Sequence, residues 1–119
     1  MTSPRPLAAV AAHFRDKAPN VAATYAELLN AARKLGPVQE DPKKTSIHLV
    51  RRTAFAGVAT RKAVLILTLK AEREIRSPRI TRSEKASTNR WHLIVRLNDP
   101  TEVDAELVKW LREAYALAE

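Results

Sequence analysis

The sequence predicts an α+β fold: an antiparallel sheet of about four strands, with two N-terminal helices and one C-terminal helix packed largely on one face. Three observations predict it. Apolar residues recur at helical spacing before Gly36 and after Asp99, and between these points they alternate with period 2. Gly36-Pro37 and Asp99-Pro100 are residue pairs that stop one helix and start another. The 119 residues suffice for one modest core, so 1–119 reads as a single domain.

In the helical N-terminal part, 1–36, Leu7, Val10, Ala11 and Phe14 fall at i, i+3, i+4 and i+7 behind Pro6 at an N1 position. Lys17-Ala18-Pro19-Asn20 breaks that helix and places Asn20 to cap the next. Val21, Tyr25, Leu28, Ala32 and Leu35 then line one apolar face up to Gly36. The sheet region, 43–97, opens with Ile47 and Leu49 alternating with Ser46, His48 and Val50. Arg51-Arg52 mark a turn, and Thr53 to Val58 a second strand in which Gly57 signals a bulge or a close contact. After the polar turn Thr60-Arg61-Lys62, Ala63 to Lys70 is apolar on both faces, which predicts a central strand covered on each side. Ala71 to Asn89 reads as a long loop. Arg90 to Leu97 sets Trp91, Leu93, Val95 and Leu97 on one face, with His92, Ile94 and Arg96 on the other. Asp99-Pro100-Thr101-Glu102 has the order of a capping box before a C-terminal helix over 99–118. Its Val103, Leu107, Trp110, Leu111, Ala114 and Tyr115 form a stripe wide enough to lie on a sheet.

Composition removes several classes of function. With no cysteine there is no disulfide scaffold, thiol nucleophile or thiolate metal site. No apolar run approaches the roughly 20 residues of a membrane span, and the first residues lack a secretion-signal pattern. The expectation is a cytoplasmic protein with no membrane segment. Two glycines cannot build a phosphate-cradling loop. Asp99, Glu102, Asp104 and Glu106 complement a positive helix N-terminus and read as structural. No catalytic residue, metal site or cofactor is predicted.

Charge is the strongest lead to a partner. Lys43 to Leu97 holds 14 Lys and Arg against 3 Asp and Glu, a net of +11, whereas 1–42 carries +1 and 98–119 carries −4. Within Ala71 to Asn89 the cations Arg73, Arg76, Arg79, Arg82 and Lys85 recur every third residue. Pro78 opposes a helix there, and an extended polyproline-like stretch would align them to follow a phosphate backbone. The alternative is that they pair with Glu72, Glu74 and Glu84 in solvent. The residues expected to contact an anion are Lys43, Lys44, Arg79, Arg82 and Arg90. Aromatic residues add nothing to a nucleic-acid case: Phe14, Tyr25, Trp91, Trp110 and Tyr115 all fall on core faces, and only the side taken by Phe55 is open.

His48 and His92 both occupy the off-core register of their strands. With Ser46, Thr68 and Arg96 they would line one polar face beside Val50, Val64, Ile66 and Ile94. Imidazole can move a proton or bind a metal, but no third ligand or nucleophile stands at a diagnostic spacing. An enzyme would need both imidazoles within a few ångströms. The same face would also serve as a small-ligand groove or a homodimer interface.

Several stretches together carry a likeness: Asp41-Pro42-Lys43-Lys44-Thr45-Ser46-Ile47-His48-Leu49, Thr53-Ala54-Phe55-Ala56-Gly57-Val58, Ser77-Pro78-Arg79-Ile80, Asn89-Arg90-Trp91-His92 and Trp110-Leu111-Arg112-Glu113-Ala114-Tyr115. The chain resembles, from His13-Phe14 onward, a bacterial family catalogued as domain of unknown function 5655, some of whose members are labelled predicted transport proteins. The resemblance implies a compact fold and a shared surface around Lys44, Ser46, His48, Arg79, Arg90 and His92. It implies no reaction. The leading expectation is a non-enzymatic binding module whose basic surface meets an anionic partner: nucleic acid first, then an acidic protein or a phosphorylated small molecule. The rival is a small-ligand protein or enzyme using the His48/His92 face, and a homodimer closed through that face is a third reading.

Overall fold

The computed structural model describes residues 8–119. The expected N1 role of Pro6 and the packing of Leu7 lie outside the described residues. Six strands, against the four expected, form one antiparallel sheet in the order β1-β2-β3-β4-β6-β5. They are β1 (Gln39–Pro42), β2 (Ile47–Val50), β3 (Ala54–Thr60), β4 (Leu65–Ala71), β5 (Ile80–Ser87) and β6 (Arg90–Leu97). Three α-helices accompany them among the described residues: α1 (Ala8–Ala11), α2 (Pro19–Arg33) and α3 (Ala105–Leu117).

Alternation places the core on one side. Ile47 and Leu49 of β2, Val58 of β3, Leu65, Leu67 and Leu69 of β4, and Leu93, Val95 and Leu97 of β6 are all buried. They meet Val21, Leu28 and Ala32 of α2 and Leu107, Leu111 and Ala114 of α3 in one cluster. The residues between them in sequence (His48, Gly57, Ile66, Thr68, Lys70, His92 and Ile94) are only half-buried. They form a second face that no described element covers. The two-faced apolar pattern of β4 does place it centrally, but only one of its faces is packed.

The helix boundaries differ from expectation for local reasons. Among the described residues α1 covers a single turn, continued by a 3-10 turn at Ala12–Phe14. α2 begins with Pro19 at N1 behind Ala18, without a side-chain cap. Asn20 instead donates its amide to the Ala63 carbonyl (3.0 Å) and also to that of Asn98, tying the helix to the sheet. The capping box at Asp99 and Glu102 is present, yet it closes a separate 3-10 turn, and α3 starts later with Asp104 as its own N-cap.

The long loop expected over 71–89 contains β5, so the polyproline-like row does not exist. β5 pairs with β6, placing Arg82 opposite Ile94 and Lys85 opposite Trp91 on opposite faces. Extra residues interrupt that ladder at Thr81 and Ala86. A further bulge settles Phe55. Leu49 pairs with Ala56 and Val50 with Ala54, so Phe55 is the additional residue. It turns into the core and stacks edge-to-face on Tyr115, with ring centroids 5.2 Å apart.

Gly36 holds α2 to α3 at close range. Its φ is 152°, and a Cβ there would overlap the Tyr115 hydroxyl, which donates to the Pro37 carbonyl at 3.0 Å. Gly36→Ala is expected to lower stability by about 1–3 kcal/mol. Gly57→Ala, whose Cβ would meet nothing closer than 3.8 Å, should be neutral or stabilising by up to about 1 kcal/mol. Urea unfolding of the two variants checks this; equal midpoints would refute the account.

Candidate functional site

Among the described residues the uncovered face carries an open cavity of about 400 Å³, and β3 creates it. Along β3 the positions facing this side include Gly57 and Ala59, with Ala54 beyond the bulge, so nothing larger than a methyl stands on the floor. Ser46 and His48 on the β2 side and Thr68 and Lys70 on β4 rise as walls two strand spacings apart, about 10 Å. His92 on β6 closes the end beside Lys70, its cross-strand partner. Among the described residues no carboxylate lines the cavity. Lys70 makes no ion pair there either.

The register fixes how the two histidines relate. His48 pairs with Gly57, Gly57 with Thr68, and Thr68 with Ile94, while His92 lies two residues further along β6. Three strand spacings, about 14 Å, therefore separate the two backbones. The rings flank the cavity and do not form a close pair. Each has a carboxylate beside it on the outer strand: Asp41 is the cross-strand partner of His48, and Glu84 of His92. Both carboxylates are already bound, Asp41 by Lys43 (2.9 Å) and Glu84 by Arg82 (2.9 Å). No group of three or more potential ligands for a metal occurs among the described residues.

The five expected anion contacts do not gather at one place. Lys43 and Lys44 lie on the exposed β1–β2 turn, and Lys43 pairs with Asp41. Arg82 stands on the uncovered face, paired with Glu84. Arg90 is at the opposite end of the sheet, where its guanidinium donates to the Asn89 carbonyl (2.8 Å). Arg79 is a structural clamp. It donates to Asp104 (2.8 Å), to Glu106 (3.2 Å) and to the Glu102 carbonyl (2.7 Å), and lies 5.8 Å from the centre of the Trp110 ring. Burial works against its charge, but the hydrogen bonds to Asp104 and Glu106 outweigh it and raise the guanidinium's pKa. Of the second set of expected residues, Ser46, His48 and His92 line the cavity. Arg96 shares their face but is exposed one row away, opposite Ile66.

With this geometry established, comparison with known proteins gives one match. Residues 10–118 match the family described as Domain of unknown function (DUF5655). The chain belongs to the DUF5655 family. The matched span contains every residue lining the cavity, so the face described above lies within the DUF5655 domain. No curated protein and no solved structure matches the chain.

Lys70 and the small residues of β3 (Ala54, Gly57 and Ala59) line the cavity but are absent from the face expected from the sequence. Both have a signal in the sequence: the period of Ile66 and Thr68 continues to Lys70, and β3 offers only Ala or Gly at its outward positions.

Arg79 supplies a measurable consequence within this DUF5655 domain. Its hydrogen bond, followed by that of the Leu107 N–H, holds the Asp104 carboxyl below its ordinary value of 3.8. A depressed pKa stabilises the fold fully above the ordinary value, and the contribution is lost as pH falls through the folded one. Arg79→Met should cost about 1–3 kcal/mol at pH 7. The gap from the unsubstituted protein should narrow as pH drops below 3.8. Chemical denaturation at pH 7 and pH 3 checks this, and a gap that does not narrow would contradict it.

Proposed function

We propose that the protein is a small binding module that takes a phosphorylated small molecule on the uncovered face of its sheet. The carrying observation is the cavity of about 400 Å³, which brings one unpaired lysine together with two imidazoles and two hydroxyls. Its size falls in the range of ligand sites, and convergent polar groups over an otherwise apolar lining are what such sites use. A lysine ammonium is a point charge suited to a phosphoryl group, with hydroxyl and imidazole groups available as hydrogen-bond donors. The spacing of His48 and His92 favours binding over turnover, because a single proton relay does not span about 14 Å.

Nucleic acid draws less support from the geometry. Arg79 is held by α3, Arg82 by Glu84, and Lys43 by Asp41, at separate places on the molecule. Among the described residues no Phe, Tyr or Trp ring stands out on the uncovered face to stack a base: Phe55 projects into the core, and Trp91 faces the helix side with Leu93 and Val95.

Titration with inorganic phosphate, followed by backbone amide shifts, tests the proposal. The largest shifts should map to Thr68, Lys70 and His92. Lys70→Gln should weaken binding roughly tenfold, whereas Lys109→Gln on the exposed side of α3 should leave it unchanged. Shifts confined to the Lys43–Lys44 turn, or tighter and steeply salt-dependent binding of RNA, would overturn the small-ligand reading in favour of a distributed basic surface.

A further inference from the structure

We infer that the ligand is a phosphate monoester carried on a flat apolar body, with its phosphoryl group at Lys70 and His92 and its body lying along β3. The inference rests on the reading above and adds what the cavity selects. Charge is confined to one end. Among the described residues Lys70 is the only Lys or Arg that lines the cavity, and its cross-strand partner His92 completes that end. Ala54 lies beside that end, just past the bulge, and the floor running away from it consists of Gly57 and Ala59. An apolar floor cannot replace the hydration of an anion, so the phosphoryl group belongs at the lysine and an apolar group belongs over the floor.

Gly57 strengthens the case because nothing inside the protein requires a glycine there. Among the described residues Gly36 alone of the two glycines has a positive φ. A Cβ built on Gly57 would meet the His48 ring at 3.8 Å and the Thr68 Cβ at 3.9 Å, which are ordinary contacts. Glycine inside a strand weakens it and marks a place where something approaches closely. Here neither the backbone nor the packing needs that closeness, and the space opens into the cavity. The walls, about 10 Å apart between backbones and narrowed by His48 and Thr68, leave a slot suited to a ring rather than to a globular group. At the far end Ser46 and His48 offer a hydroxyl and an imidazole to a polar substituent on that ring.

Calorimetry with inorganic phosphate and phenyl phosphate tests this, on the unsubstituted protein and on Gly57→Val and Lys70→Gln. Phenyl phosphate should bind at least about tenfold tighter than inorganic phosphate, reflecting burial of the ring. Gly57→Val, a β-branched residue that a strand accepts, should weaken phenyl phosphate about tenfold more than it weakens inorganic phosphate. Lys70→Gln should weaken both to the same degree. A graded loss in Gly57→Ala would confirm that the effect follows bulk on the floor. Equal affinity for the two probes, or an advantage for phenyl phosphate that survives Gly57→Val, would overturn the inference while leaving phosphate binding in place. Failure of both probes to bind would overturn the proposed function as well.

Discussion

The connection between β4 and β5 constrains everything else. The two strands point the same way and β6 lies between them, so no hairpin can join them. Residues 72–79 must travel back along the sheet before β5 can begin. They do so beside α3, with Arg73 at Glu113 near the helix's C-terminal end and Arg79 at Asp104 and Glu106 near its start. Ile75 packs against the core between these contacts. The crossover thereby fixes α3 against β3 and β4, and among the described residues the opposite face of the sheet carries no helix. It also accounts for part of the charge pattern. Cations of the middle of the chain meet carboxylates of its end, so the separation into +11 and −4 segments partly describes an internal contact.

How much of this was legible depended on whether an element contributes to the core. β2, β4 and β6 carry buried residues at alternate positions, and β3 does so past its bulge at Phe55, so their alternation revealed them; β6 occupies Arg90–Leu97, the span its pattern indicates. β1 and β5 lie at the edges. Gln39-Glu40-Asp41-Pro42 offers no apolar side chain beyond the Pro42 ring, and in β5 only Ile80 packs against the core. An edge strand needs backbone hydrogen bonds more than buried side chains, so it leaves little hydrophobic period to read. The three-residue spacing of cations then suggested a regularity that the strand breaks. The role of Arg79 was hidden for another reason: its partners stand 25 and 27 residues away.

The cavity was half legible by the same logic. Period 2 correctly put His48, His92, Ser46 and Thr68 on one side, because inward positions identify outward ones. The carboxylates beside each histidine were not visible, since both sit on the unrecognised edge strands. The hollow itself comes from missing side chains on β3, and its floor shares a strand with buried Val58 and Phe55. Core and cavity therefore use alternate sides of the same strands, so a change on one side can leave the other intact.

The two edges have a consequence of their own. A sheet with an uncovered face and long, flat margins is a template on which further copies can stack strand by strand. Here one margin is four residues long and ends in Pro42, which has no N–H to offer. The other is bent by irregularities at Thr81 and Ala86 and carries Arg82, Glu84 and Lys85. Both therefore resist fibril-like growth. The protection against runaway strand-by-strand growth is thus built into the margins of this sheet rather than into its faces.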